Sequence, residues 1–141
     1  MYRLICLLFL AMFSSIAQGK CDASSQEKFQ DFFLQFASSK SFATSRTIYP
    51  HVVIRHEYGV DERGREVDEK VKTIVTKQMD ESYPALFDYM KTNSLEYKQK
   101  SLSASKATVE IFKPDSDWLL SYYFKRKGKC WYLAGVEDHS L

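Results

Sequence analysis

The sequence predicts an α+β fold with two layers, in which helices pack on one antiparallel sheet. Two observations support this class. Apolar and mostly aromatic residues recur at helical spacing over residues 29–36 and again over 83–90. From residue 95 onward, the chain alternates between apolar and polar residues as strands do. Helices that are segregated from the strands of an antiparallel sheet are typical of the α+β class.

The composition fits one globular domain. The chain has 141 residues, of which 45% are apolar and 27% are charged, with five glycines and three prolines. These values exclude collagen-like chains and argue against disorder. The formal net charge of +2 is close to balance, so neither nucleic acid nor an anionic membrane is predicted as a partner.

Residues 1–19 have the pattern of a signal peptide. Arg3 provides a basic start, residues 4–13 are an unbroken apolar run, and Ala17 and Gly19 are small residues suited to a cleavage site. The run is too short for a membrane anchor, because a span needs about 20 apolar residues. We therefore expect export to the periplasm, the cell surface or the extracellular space, and a single domain over residues 20–141.

Two cysteines remain after the predicted cleavage, because Cys6 lies in the removed segment. In an oxidising compartment the pair Cys21 and Cys130 is expected to form one disulfide. The alternative is a lipid on Cys21, although Lys20 precedes it where a small residue is expected. Attachment to a membrane is expected only in that case. No C-x-x-C motif is present, so a thioredoxin-type site or a zinc ribbon is not predicted.

The first helix is predicted from four phenylalanines at the spacing of one helical face. Ser24 and Glu27 precede them in the pattern of a capping box. Such a face normally docks on a sheet. Residues 38–47 are polar and leave room for a short second helix. The four phenylalanines are Phe29, Phe32, Phe33 and Phe36.

A hairpin is predicted next. Pro50 breaks the chain, and the alternation over residues 51–58 predicts a strand with His51 and His56 on opposite faces. A polar turn with Gly64 follows. Residues 67–76 fit a helix or a strand, and their β-branched side chains favour a strand that pairs back on 51–58.

A further helix and a meander complete the chain. The helix is predicted from the stripe of Tyr83, Leu86, Phe87 and Met90, with Pro84 in its first turn and Asn93 at its end. The strands of the meander are predicted at residues 95–100, 107–113, 118–127 and 130–138.

The aromatic residues of these segments carry a resemblance to a known family. Residues 122–126 (YYFKR), 128–133 (GKCWYL) and 137–138 (ED), together with 29–33 (FQDFF) and 36–38 (FAS), resemble a family of exported bacterial domains of unknown function. Members look like the nuclear-transport-factor-2-like (cystatin-like) superfamily. The resemblance covers nearly all of residues 20–141 and implies a cone, in which a curved antiparallel sheet wraps the N-terminal and central helices. It assigns no activity to any residue, and the wider superfamily includes isomerases, dehydratases and non-catalytic binding or dimerisation modules.

The histidines and acids give no recognisable catalytic or metal-binding set. His56 shares a face with Val52 and would be a general base in the cone only if an acid were paired with it, and the sequence identifies no such acid. His51 and His56 lie on opposite faces, which argues against a shared metal ion. The segment 137–139 (EDH) is interpreted as a solvated tail, and 115–117 (DSD) as a turn rather than a calcium loop. No catalytic residue, metal or cofactor is predicted.

Aromatic side chains provide the candidate ligand site. Five of them fall in two adjacent predicted strands, where they would line either a packed core or an apolar pocket of the cone. With His56 they form the predicted ligand-binding set of His56, Trp118, Tyr122, Phe124, Trp131 and Tyr132. The basic hairpin tip at residues 125–129 is interpreted as a device that protects a sheet edge, not as a nucleic-acid patch.

Three functions remain open from the sequence. The leading hypothesis is an exported, non-catalytic module that binds a small apolar molecule or a peptide. The first alternative is an isomerase or hydrolase that uses His56 with a carboxylate. The second is an interaction module that forms a homodimer through an exposed sheet patch of Leu119, Tyr123 and Tyr132.

Overall fold

The computed structural model describes residue 21 and residues 24–75 and 84–140. The predicted signal peptide, residues 1–19, and Tyr83 of the predicted helical stripe lie outside these residues. The described part contains three helices and six strands: α1 (Phe29–Ser38), α2 (Lys40–Ser45), β1 (Thr47–Val60), β2 (Glu66–Val75), α3 (Leu86–Asn93), β3 (Glu96–Leu102), β4 (Lys106–Phe112), β5 (Leu119–Lys127) and β6 (Cys130–Asp138).

The six strands form one curved, open sheet in the order β2-β1-β6-β5-β4-β3. Neighbouring strands are antiparallel except β1 and β6, which run parallel. The predicted α+β class is confirmed, and the β-branched segment is the strand β2, paired along β1 from His51–Val75 to Val60–Glu66. Gly64 in the connecting turn has φ +73°, the left-handed conformation that favours glycine.

The phenylalanine face of α1 builds the core. Phe32 and Phe36 are 1% and 4% exposed and pack edge-on against Phe124 of β5. Trp131 of β6 is fully buried and packs edge-on against Phe29. Burial of one such ring stabilises the fold by about 1.5–3 kcal/mol, so this cluster dominates the packing of helix on sheet.

The predicted capping box is not formed. Helix α1 begins after Lys28, whose side chain makes no capping hydrogen bond. Glu27 instead accepts hydrogen bonds from Arg46, which is 2% exposed, and from the backbone N–H of Trp131. The carboxylate of Glu27 thereby connects the N-terminal segment to β6. It also pairs with the guanidinium of Arg46, and a buried charge without such a partner would be strongly destabilising.

Two predicted boundaries are wrong. Pro50 does not break the chain before the strand but lies within β1. The pairing of β1 with β6 shifts register between Thr47 and Val52, so the regular ladder is interrupted there. Pro50 is tolerated because its missing N–H removes no regular ladder hydrogen bond.

Pro84 precedes α3 rather than forming its first turn. Helix α3 ends at Asn93 as predicted, with Ser94 in the left-handed conformation.

The sheet has two distinct faces. The inner face, which packs on the helices, carries His51, Val53, Tyr122 and Val136. The outer face carries the alternate side chains of each strand. In β6 the alternation is interrupted by a bulge, because Phe124 pairs with Leu133 while Tyr123 pairs with Gly135. The extra residue, Ala134, shifts the rest of β6 by one position and turns Glu137 to the outer face.

Cys21 and Cys130 form a disulfide, with their Cα atoms 5.8 Å apart and 109 positions apart in the chain. The predicted pairing is therefore present, and it links the segment before α1 to the start of β6. Within the described ranges, no helix has the length and apolar character needed to cross a membrane.

Candidate functional site

A cavity of about 280 Å³ lies between the helices and the inner face of the sheet. Helices α1 and α2 contribute Phe36, Lys40 and Ala43, and β1 contributes His51 and Val53. Helix α3 and the strands β5 and β6 contribute further lining residues. Their side chains in the lining are Leu86, Tyr122, Leu133 and Val136.

Two polar atoms of the lining residues stand out. The ammonium nitrogen of Lys40 and Nδ1 of His51 are buried and have no hydrogen-bond partner among the described residues. His51 as a whole is only 5% exposed. Burial lowers the pKa of His51, because the apolar surroundings disfavour the imidazolium. Burial also raises the pKa of Tyr122 to about 12, so its hydroxyl stays protonated.

The predicted ligand-binding residues separate into different places. Tyr122 lines this cavity. Phe124 and Trp131 are 1% and 0% exposed and belong to the packed core. Trp118 precedes β5, and the ring of Tyr132 lies under the guanidinium of Arg46 at 5.4 Å. Of the predicted aromatic residues, Phe124 and Trp131 therefore belong to the hydrophobic core, and Tyr122 lines the cavity.

Sequence reasoning missed Lys40 and His51 as lining residues. Lys40 lies in the polar stretch of residues 38–47, where the sequence leaves room for a short helix. Nothing in the pattern of that stretch points to a cavity. His51 was placed on the face opposite to His56, which is correct. The missing information was which of the two faces receives the helices.

His56 lies on the outer face of the sheet, away from this cavity, and it does have partner acids. Its Nδ1 is 2.9 Å from Asp68 Oδ1 of β2, and its Nε2 is 2.9 Å from Glu137 Oε1 of β6. The hydrogen bond to Glu137, followed by that to Asp68, raises the pKa of His56. The sequence alone identifies neither acid, because both come from neighbouring strands whose register the sequence does not specify.

The interpretation of residues 137–139 as a solvated tail is wrong for Glu137, which is buried at 8% exposure. Burial alone would raise the pKa of its carboxyl group. Hydrogen bonds donated by the Tyr123 hydroxyl, by His56 and by Lys70 outweigh the burial and hold the pKa at about 2. The hydroxyl of Tyr123 lies 2.6 Å from Oε2, and the pKa of this tyrosine is raised to about 12 by burial and by the carboxylate.

His139 completes this outer cluster. Its ring stacks on that of His56 with centroids 5.0 Å apart, and its Nε2 lies 3.8 Å from Glu137 Oε2. The same nitrogen is 3.1 Å from the hydroxyl of Ser121. A shallow groove of about 400 Å³ borders the cluster, since Tyr123 lines it together with Val52 and Ile54.

The predicted dimer patch is less exposed than expected. Leu119, Tyr123 and Tyr132 are each half-buried. The hydroxyl of Tyr123 is engaged by Glu137, and the ring of Tyr132 by Arg46. Several more exposed apolar side chains lie on the β1–β2 hairpin, among them Tyr58, Val60 and Ile74.

Comparison with known proteins gives a family and a fold. The family model described as "Domain of unknown function (DUF4348)" matches residues 11–141. A cystatin-like protein from Bacteroides caccae superposes with a TM-score of 0.51 at 20% identity, covering 81% of this chain and 77% of that one. A search of the curated proteins finds no match.

A second solved structure is an NTF2-like protein from Bacteroides fragilis. It has a TM-score of 0.47 and 19% identity, and the comparison covers 82% of this chain and 48% of that one. This chain thus spans about half the length of that structure. The superposition on the cystatin-like protein from Bacteroides caccae confirms the cystatin-like α+β fold that is predicted from the sequence. At such identities the likeness concerns the fold alone.

Proposed function

We propose that this chain, which belongs to the family described as "Domain of unknown function (DUF4348)", is an exported, non-catalytic module that binds a small apolar carboxylate. The family assigns no activity, so the proposal is argued from the residues of this chain. The ligand would occupy the cavity between the helices and the inner face. Its apolar part would contact the walls, and its carboxylate would lie against Lys40 and His51.

The observation that carries this proposal is the pair of buried nitrogens, on Lys40 and His51, that have no hydrogen-bond partner in the described part of the chain. A buried polar group that lacks a hydrogen bond costs about 1–3 kcal/mol, and a charged group costs more. Within the described residues, Lys40 Nζ and His51 Nδ1 have no acceptor or donor to meet this cost. A carboxylate supplies two acceptor oxygens and a negative charge, which would satisfy both nitrogens when His51 carries its proton on Nδ1.

The remaining lining favours a small apolar body. Phe36, Leu86, Leu133 and Val136 present hydrocarbon surface, and the hydroxyl of Tyr122 adds one neutral polar group. A volume of about 280 Å³ is at the low end of known ligand pockets, which hold roughly 300–1,000 Å³. The cavity therefore fits a short-chain or medium-chain acid better than a bulky cofactor.

Export is supported by two independent features. Residues 1–19 have the basic, apolar and small-residue order of a signal peptide. The Cys21–Cys130 disulfide is of the kind that persists in oxidising compartments and is rare in a reducing cytosol. Export would also place the module where it could capture an acid outside the cytoplasm.

The enzyme alternative has one observation in its favour, the pairing of His56 with Glu137 and Asp68. His56, however, lies on the face opposite to the cavity, and both of its ring nitrogens are occupied by these carboxylates. The dimer alternative loses support because the three side chains of its patch are half-buried. Both alternatives require a surface other than the cavity.

The first test uses octanoate, a medium-chain acid, as the probe and measures its binding by isothermal titration calorimetry. We expect the purified protein to bind it in a saturable manner. Lys40→Met keeps the apolar stem and removes the charge. Loss of one charge-assisted hydrogen bond, worth about 1.5–3 kcal/mol, should weaken binding roughly 10-fold to 100-fold.

Lys127→Met is the matched control, because Lys127 is exposed at the β5–β6 turn, far from the cavity lining. It should bind the probe as the parent protein does. A second variant, Ala43→Leu, fills the cavity without changing charge and should also reduce binding. Equal affinities for the Lys40 and Lys127 variants would contradict the proposal, as would a probe that does not bind at all.

A further inference from the structure

The outer face carries a cluster of nitrogen and oxygen donors that the proposed function does not use. His56 of β1, Glu137 of β6 and His139, which follows β6, each offer one ligand atom, and these atoms all lie within 4.8 Å of one another. We propose that these three residues bind a divalent transition-metal ion, for which Zn²⁺ is the best match. The site is independent of the inner cavity, because the sheet separates the two.

The donor set fits this class of metal. Two imidazoles and one carboxylate are typical zinc ligands, with Zn–N bonds of about 2.0–2.1 Å, so two donors on one tetrahedral ion lie roughly 3.3 Å apart. His56 Nε2 is 2.9 Å from Glu137 Oε1, and His139 Nε2 is 3.8 Å from Glu137 Oε2. These two separations bracket the required value, and all three ligand atoms lie within 4.8 Å of one another, so no pair has to close by more than about 1.5 Å to share one ion.

The surrounding residues already orient the donors. Asp68 accepts a hydrogen bond from His56 Nδ1, which leaves Nε2 directed at Glu137. A carboxylate on the far nitrogen of a histidine is the usual outer partner of a metal-bound imidazole. Tyr123 likewise donates to Glu137 Oε2 and fixes the carboxylate plane. Asp68 and Tyr123 are thus positioning residues, supplied by β2 and β5.

Lys70 is the competitor for this site. Its ammonium lies 3.2 Å from Glu137 Oε1, and its side chain is 63% exposed. Such a long and exposed side chain can leave for solvent at little cost when a divalent cation replaces it. Three protein ligands then leave a fourth coordination position for water or another ligand, as in zinc sites that are not purely structural.

The test measures metal binding by untagged protein with isothermal titration calorimetry, using Zn²⁺ alone. We expect one ion per chain. His56→Gln and His139→Gln should each weaken binding by more than about 100-fold, because they remove direct ligands rather than outer partners. Asp68→Asn should weaken it about 10-fold to 100-fold without changing the stoichiometry.

The third histidine provides the matched control. His51→Gln removes the histidine of the inner face, and its affinity for Zn²⁺ should equal that of the parent protein. An equal loss in the His51 and His56 variants would overturn the site, as would a parent protein that binds no stoichiometric Zn²⁺. Circular dichroism of each variant establishes that it is folded.

Lys70→Gln keeps the proposal testable if the histidine variants fail to fold. Lys70 is exposed, so its replacement leaves the packing intact, and removal of the competing ammonium should tighten Zn²⁺ binding several-fold. Unchanged or weaker binding by this variant would contradict a metal ion at Glu137.

Discussion

His51 and His56 lie on the same strand, five residues apart, yet their surroundings move their pKa values in opposite directions. Burial against the helices lowers the pKa of His51. Hydrogen bonds to Glu137 and Asp68 raise the pKa of His56. The direction depends on the face, because the inner face offers apolar contacts while the outer face offers carboxylates.

The lowered pKa of His51 predicts that the free energy of unfolding depends on pH. Above the unfolded pKa of about 6.5, His51 is neutral in both states and contributes nothing. As the pH falls below that value, His51 is protonated in the unfolded chain but stays neutral in the folded protein. The free energy of unfolding therefore decreases until the pH reaches the lowered pKa of the folded state. The slope for one group cannot exceed about 1.4 kcal/mol per pH unit.

Urea unfolding between pH 7 and pH 5 checks this prediction with His51→Gln. The variant should lose less unfolding free energy over this range than the parent protein. His56 acts in the opposite sense, since its raised pKa stabilises the fold at low pH and this contribution is lost as the pH rises. Because His56 is present in both proteins, its contribution cancels in the comparison. Parallel pH profiles would show that His51 is not buried as neutral imidazole.

At the residue scale, the sequence predicted the core better than the site. The spacing of Phe29, Phe32, Phe33 and Phe36 identified buried residues, because helical periodicity is a local property. The cavity nitrogens of Lys40 and His51 could not be predicted. Their surroundings depend on which face of β1 meets the helices, and that is decided by contacts between distant segments.

At the scale of elements, the bulge in β6 and the parallel pairing of β1 with β6 determine where side chains point. Gly135 lies beside the bulge and opposite Val52 of β1. A Cβ atom at this position would lie 3.2 Å from the backbone oxygen of Val52. This contact is tight, and a backbone atom in a paired strand cannot easily move away.

Gly135→Ala should therefore destabilise the protein by about 1–3 kcal/mol, the usual cost of overpacking. Gly59→Ala is the matched control in β1, since the nearest atom to its added Cβ is a side-chain carbon of Val67 at 4.0 Å. The control should be neutral or slightly stabilising, because alanine restricts the unfolded chain. Urea midpoints of the two variants give the comparison, and equal midpoints would contradict the tight approach of β1 to β6.

The elements themselves were largely predictable from the sequence, but the bulge was not. The bounds of β4, β5 and β6 are predicted nearly as observed because the alternation over residues 107–138 is strong, whereas the alternation in β3 is weak. Simple alternation from Trp131 would put Glu137 on the inner face. The extra residue at Ala134 moves it to the outer face beside His56, and no local signal in the sequence specifies a bulge at that position.

For the whole molecule, the disulfide is the longest-range covalent constraint. It connects the segment before α1 to β6 across 109 positions. In the chain-entropy description, closing a loop of this length stabilises the folded state by up to about 4.7 kcal/mol. The Cys21→Ser, Cys130→Ser double variant should therefore unfold at a clearly lower urea concentration than the parent protein.

Reducing agent separates the bond from the effect of the substitutions. It should lower the midpoint of the parent protein and leave that of the double variant unchanged. If the parent protein is insensitive to reductant under conditions in which its free thiols become measurable, the disulfide does not contribute to stability.

The two faces of the sheet give the molecule two separate chemistries. The inner face bounds an apolar cavity with two buried nitrogens that no described residue meets with a hydrogen bond. The outer face carries charged and hydrogen-bonded side chains around Glu137. Because the sheet separates them, a ligand in the cavity and a metal ion on the outer face would bind independently. The proposed binding function belongs to the cavity alone.

Native mass spectrometry of the protein, purified without denaturation from the cells that produce it and from their medium, is the most direct test of ligand binding in the cavity. We expect a stoichiometric adduct with the mass of a small carboxylic acid, which is absent or strongly reduced in Lys40→Met and retained in Lys127→Met. A parent protein that carries no adduct and acquires none when incubated with medium-chain acids would contradict it.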